Sequence, residues 1–176
     1  KLEQVWKMTV DQDLLPTNLW REMMRAFFSR TKMPLQQRIL DFAAENGLNP
    51  ELRFRDIKGV GLYPVAADLN TGQPVVFGRD PEELVLESVL ASMALPPWFS
   101  PREKDGQYLV DGGAVSTLPI ETAMRQGAAE IIALDLFNPA DLEQKASGLR
   151  PLLVKLDKAV ENRQIQLELE LAEARR

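Results

Sequence analysis

The stretch Tyr108-Leu109-Val110-Asp111-Gly112-Gly113 constrains this chain more than any other. Three apolar residues with strand character run into an aspartate, and two glycines follow it. That pattern sets a carboxylate at the C-terminal end of a buried strand, the edge at which open α/β sheets gather ligands and chemistry. Glycine has no Cβ, so Gly112 and Gly113 let a substrate or another backbone come close to Asp111. By itself Asp-Gly is also an ordinary turn dipeptide, so its meaning depends on the rest of the chain.

Composition narrows the chemistry open to such a carboxylate. The chain has 176 residues, which fits one domain and is enough to bury about 70% of the unfolded surface. With no cysteine, disulfides, thiolate nucleophiles and cysteine-based zinc sites are excluded. With no histidine, no Ser-His-Asp triad, HExxH site or histidine base can be built from these residues. Acid–base chemistry therefore falls to a carboxylate, a lysine or a tyrosine. A net charge of −5 argues against nucleic acid as a partner. No apolar run reaches the length of a membrane span, and the opening Lys1-Leu2-Glu3-Gln4 lacks a signal-peptide pattern and a Met. A reducing, cytoplasmic setting is the expectation. Gly59-Val60-Gly61 is half of a dinucleotide fingerprint, but it precedes a strand and lacks the third glycine, so neither cofactor nor metal is expected.

Along the chain, Trp6 and Met8 are the large anchors of a mixed-polarity start. The pairs Leu19/Trp20, Met23/Met24 and Phe27/Phe28 recur at helical spacing and read as a core stripe or as a wall over an acyl-chain pocket. Pro34 starts a second helix with Leu35, Ile39, Phe42 and Ala43 on one stripe, and Gly47 is its natural stop. Residues 62–78 read as a hairpin turning at Asn70-Thr71-Gly72, with Pro64 at an edge or a strand start. Asp80-Pro81-Glu82-Glu83 has the form of a helix start with Asp80 as N-cap. Its apolar face is Val85, Leu86, Val89, Leu90 and Met93, and Pro96-Pro97 ends it.

A polar turn around Lys104-Asp105-Gly106 leads into the strand that ends at Asp111. Pro119 can start a helix ending near Gly127, and Ile131 to Leu136 is a near-continuous apolar run of the kind found in central parallel strands. Together 107–110, 119–126 and 131–136 predict a right-handed βαβ unit. Residues 138–148 read as a loop or weak helix. From Leu149 to Arg176 a long helix carries Leu153, Leu156, Val160, Leu167 and Leu171 on one seam, broken by Arg163. It can pack on the core or meet another chain or a membrane surface, although the acidic Glu168, Glu170 and Glu173 disfavour anionic lipid.

Residues 54–136 resemble the patatin-like phospholipase (lipid acyl hydrolase) family. The resemblance rests on ordered blocks: Leu62-Tyr63-Pro64-Val65-Ala66-Ala67-Asp68 through Phe77, then Ala91-Ser92-Met93-Ala94-Leu95-Pro96-Pro97-Trp98-Phe99. The block from Leu109 through Asp111-Gly112-Gly113 to Pro119 follows, and then Gly127-Ala128 and Ile131 to Asp135. The resemblance implies a three-layer α/β/α fold with a mainly parallel central sheet. It implies hydrolysis of lipid acyl esters by a Ser–Asp dyad, with Asp111 as the base and Gly112 and Gly113 supporting it. The family's nucleophile sits in a Gly-x-Ser-x-Gly elbow, which residues 1–176 do not contain. Residues 1–148 are thus expected to form the C-terminal part of a catalytic domain, with the N-terminal strands and elbow missing, and 149–176 its terminal helix.

Two other readings stand beside hydrolysis: a non-catalytic binding or regulatory module lacking the nucleophile, and an acyltransferase on the same fold. Ser92 and Ser116 read as structural, as do Asp68 and Asp135 at strand ends. A parallel sheet without its first strands would expose an edge and an apolar face. Residues 1–176 alone are therefore expected to self-associate or dissolve poorly through that edge or the terminal helix. Sedimentation velocity checks this, and a clean monomer with a cooperative melt would contradict it.

Overall fold

The computed structural model describes residues 34–46, 49–96, 98–143 and 145–175. The expected N-terminal helix, Trp6, Met8, the Gly47 stop and Pro97 lie outside the described residues. Two compact units divide between Asp111 and Gly112.

In the first unit, helix α1 (Pro34–Glu45) begins at its proline as expected. It ends at Asn46, whose backbone N–H and side-chain amide both donate to the Phe42 carbonyl, at 3.0 and 2.9 Å. Strands β1 (Val65–Asp68) and β2 (Gln73–Val76) form the expected hairpin. Helix α2 (Val85–Ser92) precedes β3 (Arg102–Lys104) and β4 (Gln107–Asp111). The sheet order is β2-β1-β4-β3, with Ala66 opposite Asp111, Asp68 opposite Leu109, and Arg102 also opposite Leu109.

Every pairing in this sheet is antiparallel, which corrects the expectation of a mainly parallel one. The cause is local. Short turns join β1 to β2 and β3 to β4, and a strand entered through a tight turn must run back along its neighbour. The β3–β4 turn places Asp105 at φ 52° and Gly106 at φ 77°, the left-handed pair whose twist suits a two-residue hairpin. Pro64 precedes β1 and accepts the Phe77 N–H at 2.9 Å, so its role is that of a strand start.

The core collects Phe54, Ala66, Phe77, Val85, Ala91 and Leu109 between α2 and the sheet. Strand β1 is buried along its whole length. Ser88, the polar residue buried within α2, donates to the Val85 carbonyl at 2.7 Å and so leaves no orphan hydroxyl.

Helix α2 starts later than expected, with Leu84 rather than Asp80 at its N-cap. The intervening backbone is engaged elsewhere. The Glu83 carbonyl accepts from Phe54 N–H at 3.2 Å, the Pro81 carbonyl from Arg55 N–H at 3.0 Å, and Leu84 bridges to Arg53. Asp80 instead closes a turn, its carboxylate accepting the Glu82 N–H at 2.9 Å. Tertiary pairing with residues 52–55 overrides a good capping sequence.

The second unit opens with a 3₁₀ turn at Gly112–Ala114 and continues to helix α3 (Ile120–Arg125). Residues 131–138 run without regular structure, then come α4 (Ala140–Glu143) and α5 (Leu149–Ala174). The expected strand over 131–136 is therefore not formed, nor is the βαβ unit. Ile132, Leu134 and Leu136 are 83–98% exposed. An apolar run becomes a strand only when a neighbour supplies its backbone partners, and no strand beside it lies among the described residues.

Helix α5 lies against α3 and α4. Its buried residue is Ile165, whereas Leu153, Leu156, Val160 and Leu167 are 48–59% exposed. At about 100° per residue the leucine seam points away from Ile165.

Gly78 has φ +83°, and a Cβ there would strike the Leu62 carbonyl oxygen and reach the Phe54 ring at 3.0 Å. Gly78→Ala should cost at least about 1–3 kcal/mol, read as a lower denaturation midpoint. Wild-type stability in that variant would show that the turn relaxes.

Candidate active site

Asp111 closes β4. Its backbone N–H donates to the Ala94 carbonyl at 3.1 Å, just past the end of α2. Its register partner is Ala66, which is fully buried, and Asp111 itself is half-buried. A small neighbour on β1 keeps bulk away from the carboxylate. Pairing to β1 and the bond to Ala94 hold the Asp111 backbone from two sides.

The chain then turns immediately. Gly112 is buried, and its carbonyl accepts the N–H groups of Val115 and Ser116 at 3.0 and 2.9 Å. The second unit secures this segment further on. The Ser116 hydroxyl donates to Oε1 of Glu168 on α5, while Glu168 Oε2 accepts the Glu121 N–H at 2.9 Å. Thr117 Oγ1 donates to Gln164 Oε1 at 2.9 Å, and Gln164 Nε2 donates to the Ala114 carbonyl at 3.2 Å. At the same helix end, Arg125 donates to the Glu121 carboxylate at 3.1 and 2.9 Å, and Arg175 does so at 3.2 Å. These bonds hold the Glu121 carboxyl below its ordinary value, the hydrogen bonds from Arg125 being the largest cause.

The other candidates divide clearly. Asp68 is fully buried at the end of β1 and works as the hub of the β1–β2 turn. Its Oδ1 accepts the Asn70 N–H at 3.0 Å, and its Oδ2 accepts from Thr71 Oγ1 at 2.9 Å and Gln107 Nε2 at 3.3 Å. The Asn70 N–H is the main reason its carboxyl lies below the ordinary range, with Thr71, Gln107 and Tyr108 adding to it against the opposing effect of burial. Asp135 caps a local turn through the Phe137 N–H at 2.8 Å. Ser92 ends α2, and Ser116 is engaged by Glu168. None of these four is arranged as a nucleophile or base.

Glu168 and Gln164 were not singled out from sequence as partners of this segment. Their signal is faint: Gln164 falls on the leucine seam between Val160 and Leu167, and Glu168 follows one turn later. In the sequence Glu168 reads with Glu170 and Glu173 as one acidic run.

A groove of about 630 Å³ in the first unit is lined by Phe77, Leu84, Ser88, Ala91 and Leu109, among others. The ion pairs Lys104–Glu83, at 2.5 Å, and Arg102–Glu87 border it. Asp111 does not line it, so the groove is separate from the carboxylate's own setting. Among the described residues no cluster of metal-ligating side chains occurs, and no helix is long and apolar enough to cross a membrane.

A mixed α/β protein with a strand-end aspartate entering a glycine turn is the class that the fold and site define. Residues 3–124 match the patatin-like phospholipase family, and the chain belongs to it. It is 38% identical over 72 residues to an uncharacterized NTE family protein of Mycobacterium bovis. The same identity and length hold for a protein so described from Mycobacterium tuberculosis. The aligned stretch is 41% of this chain and 19% of each relative, so the chain spans about a fifth of the length of the curated relatives it matches.

The lowered Asp68 carboxyl makes a testable statement about pH. A group whose folded pKa lies below its unfolded value stabilises the fold above the unfolded pKa, and that stabilisation is lost as pH falls through the folded one. Asp68→Asn should therefore melt lower than wild type at pH 7, with the gap closing below about pH 4. Thermal melts across that range check it. A gap that stays constant to pH 3 would contradict an ionised Asp68 at the turn.

Proposed function

We propose that the intact protein hydrolyses lipid acyl esters with a Ser–Asp dyad in which Asp111 is the general base. The observation that carries this reading is the placement of Asp111, at the end of β4 and directly before the Gly112 turn, within the residues that match the family. The partner serine comes from a Gly-x-Ser-x-Gly elbow outside residues 1–176, since that motif does not occur in them.

In this scheme the Asp111 carboxylate takes the serine hydroxyl proton as the oxygen attacks the ester carbonyl. The tetrahedral intermediate collapses, and Asp111 returns the proton to the leaving alcohol. Water then repeats the sequence on the acyl-enzyme and releases the fatty acid. No histidine is needed, which agrees with a chain that has none. The substrate is a lipid or other acyl ester met transiently at a membrane surface, and the cysteine-free composition suits a reducing cytoplasm.

The missing elbow favours one alternative, a patatin-fold module that binds without catalysis. An acyltransferase differs only in the acceptor of the acyl group. Expression of the full reading frame with an ester substrate separates the three. Asp111→Asn should lower kcat on the order of 10²–10⁴-fold with the fold intact by circular dichroism. Undiminished hydrolysis by that variant ends the dyad reading. A full-length wild type that binds lipid but releases no acid supports the binding module, and acyl transfer to an added alcohol in preference to water supports the transferase.

A further inference from the structure

We propose that the groove beside α2 and the β3–β4 hairpin is a binding site for a small organic ammonium ion, whose apolar body lies on the groove floor and whose positive group is held by Ser88 and the acidic lining. Every residue of this site belongs to the first unit, and none of the argument depends on the role given to Asp111.

The floor sets the first requirement. Phe77, Ala91 and Leu109 line it, all three buried, so it favours an apolar surface. Its volume of about 630 Å³ suits a small molecule. One polar group interrupts the apolar lining. Ser88 is buried, and its hydroxyl proton is committed to the Val85 carbonyl at 2.7 Å. What the groove receives from Ser88 is therefore an acceptor, and a ligand must bring the donor.

The lining sets the sign of the charge. It carries six acidic and two basic side chains. Both bases are already matched, Lys104 by Glu83 and Arg102 by Glu87, and Glu82 is engaged by Arg55. Asp80, Glu103 and Asp105 remain; they are exposed, and among the described residues none of them makes an ion pair. Asp80 accepts the Glu82 N–H, which leaves its charge unbalanced, and it is not the cap of α2, a place taken by Leu84. Three surplus carboxylates around an apolar floor focus a field that draws in cations. The Phe77 ring already carries a cation over it, with Lys104 Nζ 5.0 Å from its centroid. Among the described residues no group of acidic side chains is gathered closely enough to hold a metal ion, so the cation that fits is an organic one.

The test is calorimetric titration of the full-length protein with three probes of one shape: phenylbutylammonium, neutral phenylbutanol and anionic phenylbutyrate. The ammonium should bind with a Kd on the order of 0.1 mM, as befits a ligand of that size. The alcohol should bind at least about tenfold more weakly and phenylbutyrate not measurably. Raising salt from about 0.05 to about 0.5 M should weaken the ammonium several-fold and leave the alcohol unchanged. Glu103→Gln combined with Asp105→Asn should weaken the ammonium about tenfold without affecting the alcohol. Both positions are exposed, and Asn tolerates the positive φ at 105. Ser88→Ala should cost the ammonium about tenfold by removing its acceptor.

Equal affinity for the ammonium and the alcohol overturns the proposal, as does the absence of ammonium binding. Undiminished ammonium binding in the Glu103 and Asp105 double variant places the cation elsewhere and overturns it too. That variant decides the matter if Ser88→Ala does not fold. Preference for an acetylated lysine peptide over the free amine would make the groove a surface for a protein partner, which also overturns the assignment to a small ammonium ion.

Discussion

The pairing of β1 with β4 is the contact on which the first unit depends. It joins two hairpins into one sheet, provides the surface on which α2 packs, and sets Asp111 opposite Ala66. Its residues are chosen for that task. Ala66 is small and fully buried on the core face, which lets α2 approach the sheet closely, and Leu109 packs in the same cluster. With Asp68 tied into the turn at the end of β1, neither strand can slip by a residue without turning its buried side chains to the opposite face.

The two carboxylates of this strand pair illustrate how environment separates roles. Asp68 is enclosed and saturated with donors, so its charge is committed to a turn. Asp111 is half-buried and precedes the 3₁₀ turn at Gly112–Ala114, with its backbone held by strand pairing and by Ala94. Both stand at strand ends in the sequence. What distinguishes them is the sequence that follows, since Leu69-Asn70-Thr71 wraps a hydroxyl and a backbone N–H around Asp68, whereas Asp111 runs into two residues without a Cβ.

Much of this architecture could be read from residues alone. The 62–78 hairpin, the Asp105-Gly106 turn, the strand ending at Asp111 and the helices from Pro34, Pro119 and Leu149 all carry local signals strong enough to predict. The failures share one cause, which is that backbone partners are not written locally. Asp80-Pro81 has the chemistry of a helix start, yet residues 52–55 engage its carbonyls. Ile131 to Leu136 has the composition of a central strand, yet β-structure requires a neighbour. Arg102–Lys104 is too short and polar to read as a strand, and it becomes one because β4 lies beside it. The hydrogen bonds of Glu168 carry no local signal for the same reason, since its partners lie about fifty residues earlier in the chain.

The β1–β4 pairing also differs from the other two in the length of chain that it closes. The turns of both hairpins bring together residues only a few positions apart, whereas Asp68 and Leu109 are separated by about forty. Loop-closure entropy rises with the length enclosed. Asp111 is therefore set in place by the entropically costliest junction of the sheet. A perturbation that leaves both hairpins intact can still dissolve the register that aims this carboxylate, so secondary structure would persist in a molecule whose reactive group had lost its address.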